Sequence, residues 1–302
     1  MSGVPTNRTN ISLPAEVSRE IIQKTQESST VMRLARQIAL PGRGLTIPVI
    51  TGDPVANWVT ETGTKPVSNP NLSQKVMQAH KLAVIVPFSN EFRRDAAALY
   101  DALIARLPGV LARKFDNTVF FGPTGGSLAN FDDFSNVDAA SLQSSVYGGL
   151  VTADGLIAEE GGIMNGVVLA PQGKSVLLGA LDTTNRPIFI DSVAQGGVPT
   201  VLGASTYVTG AAYKAGSSAV GSTAAVPDII GFAGDWTKAM WGTVEGVVID
   251  YSSDATLTYS SGSDTETINL FQQNMFAVRA EIEVGFVAQD DYFVALTRTH
   301  SA

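Results

Sequence analysis

Three stretches bring together residue types that could do chemistry. Gly173-Lys174-Ser175 follows an expected strand and precedes an expected helix, as in a phosphate-binding loop. Such a loop also needs a glycine where this chain has Val168, and Ala170-Pro171-Gln172 is too short to wrap a phosphate. The expectation there is a tight strand-to-helix turn. Gly125-Gly126-Ser127-Leu128-Ala129 approximates a nucleophile elbow, with His300 downstream as its formal base. An elbow follows a strand, whereas Ser127 follows an expected helix, and His300 is expected in a loose tail. Asp132, Asp133 and Asp138 cluster without the spacing of a calcium loop, so a solvated acidic loop is expected. Glu159-Glu160 reads as a helix end, and His80, in a lysine-flanked strand, as a surface residue. Trp58, Trp236 and Trp241 are too scattered to form a stacking platform for single-stranded nucleic acid.

Composition narrows the choice further. The chain has 302 residues, no cysteine and two histidines, His80 and His300. Thiolate chemistry, disulfides and three-histidine metal sites are therefore excluded. Lys and Arg number 20 against 28 Asp and Glu, a net charge of −8, which argues against a dedicated nucleic-acid binder. Hydrophobic residues make up 44%, enough to fold. Charged residues are only 16%, against a norm of about 25%, which points to surface that ends up against other protein. No window reaches 18 apolar residues and no apolar leader opens the chain, so a cytoplasmic product without membrane contact is the default expectation. No catalytic residue, cofactor or metal is expected.

The elements that must position these residues come next. Residues 1–45 read as an arm with two short amphipathic helices, one carrying Val17 and Ile21, the other Val31, Leu34, Ala35 and Ile38. Pro41-Gly42-Arg43-Gly44 breaks the second. Leu45–Ile50 and Val76–Val86 are extended limbs around a polar Gly/Pro/Asn tip, a long hairpin that is marginal alone and needs a partner surface. Glu91–Phe121 repeats apolar residues at helical spacing, and Pro108 is expected to kink or divide it. Residues 131–261 mix helices (Thr152–Glu160, Pro171–Leu181) with strands (Gly166–Ala170, Val198–Val208, Ile229–Phe232, Thr243–Ile249). Phe276, Val278, Ala280, Ile282, Val284 and Phe286 then alternate with a mostly polar set, a strand with one apolar face. Asp290-Asp291 marks a turn before a last strand, Tyr292–Leu296. The class is α+β, and arm and hairpin cannot satisfy their own surfaces.

Several blocks in order resemble the tailed-bacteriophage major capsid proteins of the Hong Kong 97-type fold. They are Val86-Pro-Phe-Ser-Asn-Glu-Phe92 leading into the long helix, Ala112-Arg-Lys-Phe-Asp-Asn-Thr-Val-Phe-Phe-Gly122, Val167–Pro171, Asp182–Phe189, Gly234-Asp235-Trp236, and Asn274–Leu296. The resemblance implies an N-terminal arm (1–45), an extended E-loop hairpin (46–82), a peripheral domain with a long spine helix at about 91–121 (83–130 and 262–302) and an axial domain (131–261).

It also implies a shell protein that self-assembles as pentamers and hexamers around double-stranded phage DNA, without sequence-specific binding. The product would belong to the virion capsid and be assembled in the host bacterial cytoplasm. A separate scaffolding protein, a portal and a decoration protein are the implied partners. Assembly contacts are expected at Val17, Ile21, Leu34, Trp58, Glu61, Lys65, Arg93 and Arg94, and hinges at Gly42, Gly44 and Pro48. Some members cross-link a loop lysine to an asparagine. Lys65, Lys75 and Asn274 are the candidates here, but non-covalent locking is expected. The alternatives are an encapsulin-type nanocompartment shell, a small serine hydrolase using Ser127 and His300, and a receptor-binding or decoration protein.

Overall fold

The computed structural model describes residues 28–42, 44–52, 54–68, 71–95, 97–124, 126–182, 184–188, 200–219, 224–261 and 264–300. Val17 and Ile21 lie outside that set. The chain enters through helix α1 (Thr30–Leu34), then β1 (Arg36–Ala39), β2 (Leu45–Gly52), β3 (Asn71–Met77) and β4 (His80–Ser89). Helices α2 (Asn90–Asp95) and α3 (Ala97–Phe121) follow, then β5 (Asp138–Ser141), α4 (Val146–Glu159), β6 (Gly166–Leu169) and α5 (Pro171–Leu178). Strands dominate the rest: β7 (Thr200–Val201), β8 (Ala204–Val208), β9 (Asp228–Gly234), β10 (Ala239–Thr243), β11 (Val248–Ser252), β12 (Thr256–Ser261), β13 (Asp264–Asn269), β14 (Met275–Ala288) and β15 (Phe293–Arg298). The class is mixed α+β, mostly strand.

Strand β14 organises the first sheet. One edge pairs antiparallel with β4 from Met275 to Val284. The other edge takes β11 against Ala277–Glu281 and β10 against Val284–Ala288, and β1 adds in parallel beyond β10. Its period-two apolar set is buried throughout, as alternation requires. Leu107 and Leu111 of α3 pack in the same apolar cluster as Phe276, Val278 and Ile282. The polar face carries Arg279 paired with Asp250 on β11, and Glu283 paired with Lys81 on β4 at 2.9 Å.

Helix α3 has 25 residues, about 37 Å at ~1.5 Å per residue. Pro108 stays inside α3 and does not divide it. Proline removes one backbone donor, yet the flanking Leu107, Leu111, Ala112 and Phe115 are buried and hold the helix through it.

The second sheet has the order β5-β15-β9-β6-β8-β7. Leu150, Ala153 and Ile157 of α4 and Leu177 of α5 pack on one face against Val167, Leu169, Val294 and Leu296. The other face meets α3 and the first sheet in an aromatic core. There Phe134 stacks on Phe293 at 4.3 Å, and Phe120 on Phe232 at 4.9 Å, with Trp236 edge-on to Phe293.

Two local expectations are corrected. The second arm helix ends at Leu34; Ala35 is extended and Arg36–Ala39 instead forms β1, because the open edge of β10 offers a parallel slot. Thr243–Ile249 is not one strand: it spans the end of β10, a connection through Glu245-Gly246, and the start of β11. Strands β12 and β13 pair with each other and, among the described residues, with no other strand. Strands also cross the expected domain division. β10 and β11, from within 131–261, lie in the sheet of β4 and β14; β15, from within 262–302, lies in the second sheet.

Candidate assembly surface

The hairpin is built from β2 and β3, in register from Leu45↔Met77 at its root to Gly52↔Asn71 at its far end. At the root Gly44 adopts a φ of +85°, and a Cβ there would lie 2.8 Å from the Met77 carbonyl oxygen, so the tight entry requires glycine. Gly42 has open space, with only Val244 in reach of a Cβ, and Pro48 sits opposite Gln74 within β2. Met77, Leu40 and Val287 form a small buried cluster that seats the root on β14.

A polar latch reinforces that seat. Lys75 Nζ donates to Asp132 Oδ2 at 2.8 Å and to the carbonyl oxygen of Ala288. The same Asp132 oxygen accepts from the Ala288 amide at 3.0 Å. Asp290 lies beside them. Partial burial pushes its carboxyl up to about 6; Lys75 opposes the rise, and Asp132, Asp291 and Asp133 add to it. Asp132 is therefore an ion-pair partner, not part of a solvated acidic loop. Lys75 is committed inside its own chain, and Asn274 accepts from Asn90 Nδ2 through Oδ1 at 2.9 Å.

The far end is the opposite. In the 54–68 segment Val55, Trp58 and Val67 are 67%, 105% and 91% exposed, and Glu61 and Lys65 are exposed as well. The hydrogen bonds there are internal: Val55 N to Ser68 Oγ at 2.8 Å, and Gly63 N to the Thr60 oxygen at 2.9 Å. Removing one large aromatic from water is worth roughly 4–6 kcal/mol, at about 25 cal/mol per Å² over about 150–250 Å². In the single chain Trp58 leaves that area in water.

The arm enters over α3 through a buried carboxylate. Asp116, 1% exposed, accepts from Ser29 Oγ at 2.5 Å, Thr30 N at 2.8 Å and Val31 N at 3.3 Å. It thus satisfies the free amides at the start of α1. Burial dominates these bonds and pushes its carboxyl up to about 6. Trp241 Nε1 donates to the Met32 oxygen at 3.1 Å and fixes the other end of the same turn. Leu34 is half-buried against the chain's own core. Arg94 is exposed on α2; the side chain of Arg93 lies outside the described residues.

The motifs with possible chemistry resolve into packing. Gly173 sits in the first turn of α5, where a Cβ would lie 2.4 Å from the Ile230 carbonyl oxygen, so its role is close helix–strand contact. Lys174 N donates to the Ala170 oxygen and Ser175 Oγ to the Pro171 oxygen, which turns these groups into the helix. His300 is not in a loose tail. Its Nδ1 lies 2.7 Å from Asp228 Oδ1, whose carboxyl is held low chiefly by the Gly216 amide and then by His300. Ser127 is exposed and hydrogen-bonds to neither. His80 Nε2 meets the Ala129 carbonyl oxygen at 2.8 Å. Among the described residues no three His, Asp or Glu side chains are grouped as for a metal ion.

The chain matches the phage capsid family over residues 10–297. The chain belongs to that family. A relative named "Probable major capsid protein gp17", from Mycobacterium phage L5, is 28% identical over 298 residues, covering 94% of this chain and 89% of the relative. A solved chain from Mycobacterium phage Bobi superposes with a TM-score of 0.70 at 19% identity, covering 100% of this chain and 96% of that one. Another from Gordonia phage Cozz gives 0.70 at 19%, covering 90% and 87%. These two likenesses establish a shared fold.

Sequence reasoning found the exposed tip but missed Asp116 as the arm's anchor and the Lys75–Asp132 latch. Asp116 did leave a signal: it sits on the apolar face of α3, four residues from both Ala112 and Phe120.

Proposed function

We infer that this chain is the major capsid protein of a tailed phage, the repeated subunit of the virion shell. The family match across residues 10–297 carries that reading. The hairpin supports it: it is anchored at its root and wet at its apolar tip, as a subunit that completes its surfaces on neighbours would be. Obligate interfaces of this kind bury about 2,000–5,000 Å².

The finer assignment follows the Hong Kong 97-type plan. Residues 1–45 act as the arm and 46–82 as the E-loop. The peripheral domain is centred on α3 and the β14 sheet, and the axial domain on the six-stranded sheet. Pentamers and hexamers enclose double-stranded DNA. A scaffolding protein, portal and decoration protein act alongside, and assembly takes place in the host cytoplasm. Trp58, Glu61 and Lys65 make the tip contact, Arg94 contributes at α2, and Gly42 with Gly44 lets the hairpin pivot. The locking is non-covalent, which the engagement of Lys75 with Asp132 supports. The role is non-enzymatic, in keeping with Gly173-Lys174-Ser175 being spent on packing. The named relatives are capsid proteins of phages, which favours a DNA-filled head over a cargo-enzyme shell.

Negative-stain electron microscopy of the expressed chain, with its sedimentation profile, tests the reading. Closed shells or capsomer rings are expected. A stable monomer of 31.7 kDa that stays monomeric with its scaffolding protein present would overturn it.

A further inference from the structure

A groove of about 410 Å³ opens where the arm segment meets the end of the second sheet. One wall is Arg33, Leu34 and Arg36; the other is Asn165, Ser205, Tyr207, Trp236 and Thr237. Arg33 lies over the Tyr207 ring at 5.2 Å. The Arg36 guanidinium meets the Met240 sulfur at 3.7 Å. Among the described residues no carboxylate pairs with either arginine. Asp235 sits behind the wall, but its oxygens already accept from Asn165 Nδ2, Thr237 N, Thr237 Oγ1 and Ile163 N. The groove therefore presents two guanidinium groups beside the Tyr207 and Trp236 rings and the Leu34 side chain.

We propose that this groove receives the hairpin tip of a second copy, with Glu61 between Arg33 and Arg36 and the Trp58 ring against Leu34 and Tyr207. The proposal rests on the capsid reading and names the site that the tip contact uses. Charge complementarity selects the occupant. Glu61 is the sole carboxylate in the 54–68 segment, and it stands three residues from the fully exposed Trp58. A planar guanidinium pair suits a carboxylate, and an arginine already stacked on tyrosine extends a flat surface for a further ring. The occupant comes from another copy for a geometric reason. The eight residues of β2 carry the tip about 26 Å from the root at ~3.3 Å per residue. The groove's arginines lie on the root side, just before Leu40, which packs on Met77.

The chain has no cysteine, so a cross-link reports the contact without background. Shells carrying both Glu61→Cys and Arg36→Cys, oxidised and run on a non-reducing gel, should give a ladder of linked subunits. Shells with either change alone should not. Charge exchange provides a second arm. Glu61→Arg and Arg36→Glu should each lower the assembled fraction about tenfold, and the two together should restore it to within about threefold. Shells from the double-cysteine chain without a ladder, or an exchanged pair no better than its worse single change, overturn the docking. So does an Arg36→Glu shell that forms normally but holds less nucleic acid, since the groove then binds phosphate. If the unaltered chain forms no shells even with its scaffolding protein present, the capsid reading fails instead; shells with a silent cysteine pair sink the docking alone.

Discussion

Phe134 and Trp58 are both large aromatic residues, and the chain treats them in opposite ways. Phe134 is 1% exposed, stacked on Phe293, and edge-on to Trp236 and Phe286. It stands where α3 and the two sheets meet, and everything it needs lies within one chain. Trp58 is fully exposed at the end of a two-stranded hairpin that is anchored at its root by the Met77 cluster and the Lys75–Asp132 pair. The first region is complete in the single chain. The second is left open in the single chain, and on the proposed reading a neighbouring subunit covers it. A capsid subunit needs both: a rigid body to repeat, and an extension whose free energy is released on meeting a neighbour.

The contrast breaks most severely at the core. Phe134→Ala should cost about 3–5 kcal/mol in urea unfolding of the unassembled chain, since it opens a cavity among five rings. A loss under about 1 kcal/mol would mean the aromatic cluster is not the keystone.

The arm's anchor comes next. Asp116→Ala leaves three buried donors unpaired and should cost about 3 kcal/mol by the same measurement. Its pH behaviour runs opposite to that of a salt-bridged aspartate. Burial raises the folded carboxyl to about 6, from an ordinary 3.8. Between those values the folded chain binds more protons than the unfolded one. The group therefore adds stability as pH falls from 6 towards 4 and contributes nothing further above 6. Asp116→Asn should flatten that part of the profile; urea midpoints at pH 4, 5, 6 and 7 would reveal it.

At the hairpin root the expected effect is smaller. Lys75→Ala removes a partly exposed ion pair and a bond to a carbonyl oxygen, worth about 1 kcal/mol. Amide exchange should quicken in β3 and stay unchanged in the middle of β14. Equal protection in both proteins would show that the Met77 cluster alone seats the hairpin.

Trp58→Ala should barely touch the single chain, within about 0.5 kcal/mol. Its effect should appear in shell yield and shell melting, where a buried aromatic anchor is commonly worth 2 kcal/mol or more. Shells of unchanged yield and thermal stability would remove Trp58 from the interface.

How much of this could be read beforehand differs by element. The alternation of Phe276 to Phe286 announced β14, and the three- and four-residue spacing around Leu107 and Leu111 announced α3. Strand β1 could not be read: Arg36-Gln-Ile-Ala is too short for a pattern and exists because β10 offers an edge. The β12–β13 ribbon is rich in threonine and serine, and its alternation is limited to Leu257 and Tyr259, too short a pattern to mark it. Gly173-Lys174-Ser175 looked like chemistry because a glycine reads the same whether a phosphate or a carbonyl oxygen lies against it.

Backbone geometry repeats every 2 or about 3.6 residues, so a local sequence fixes its element and the face it buries. On that basis the chain's class, its long helix, its main strand, the exposed tip and the exclusion of cysteine chemistry were already determined by residue order. The tertiary structure decided the pairings that no local period encodes. Asp116 meets Ser29 across 87 positions, Lys75 meets Asp132 across 57, and Lys75 meets the Ala288 oxygen across 213. Only the folded chain brings Arg33 and Arg36 beside Tyr207 and Trp236, because short-range sterics choose the elements while packing chooses which of them touch.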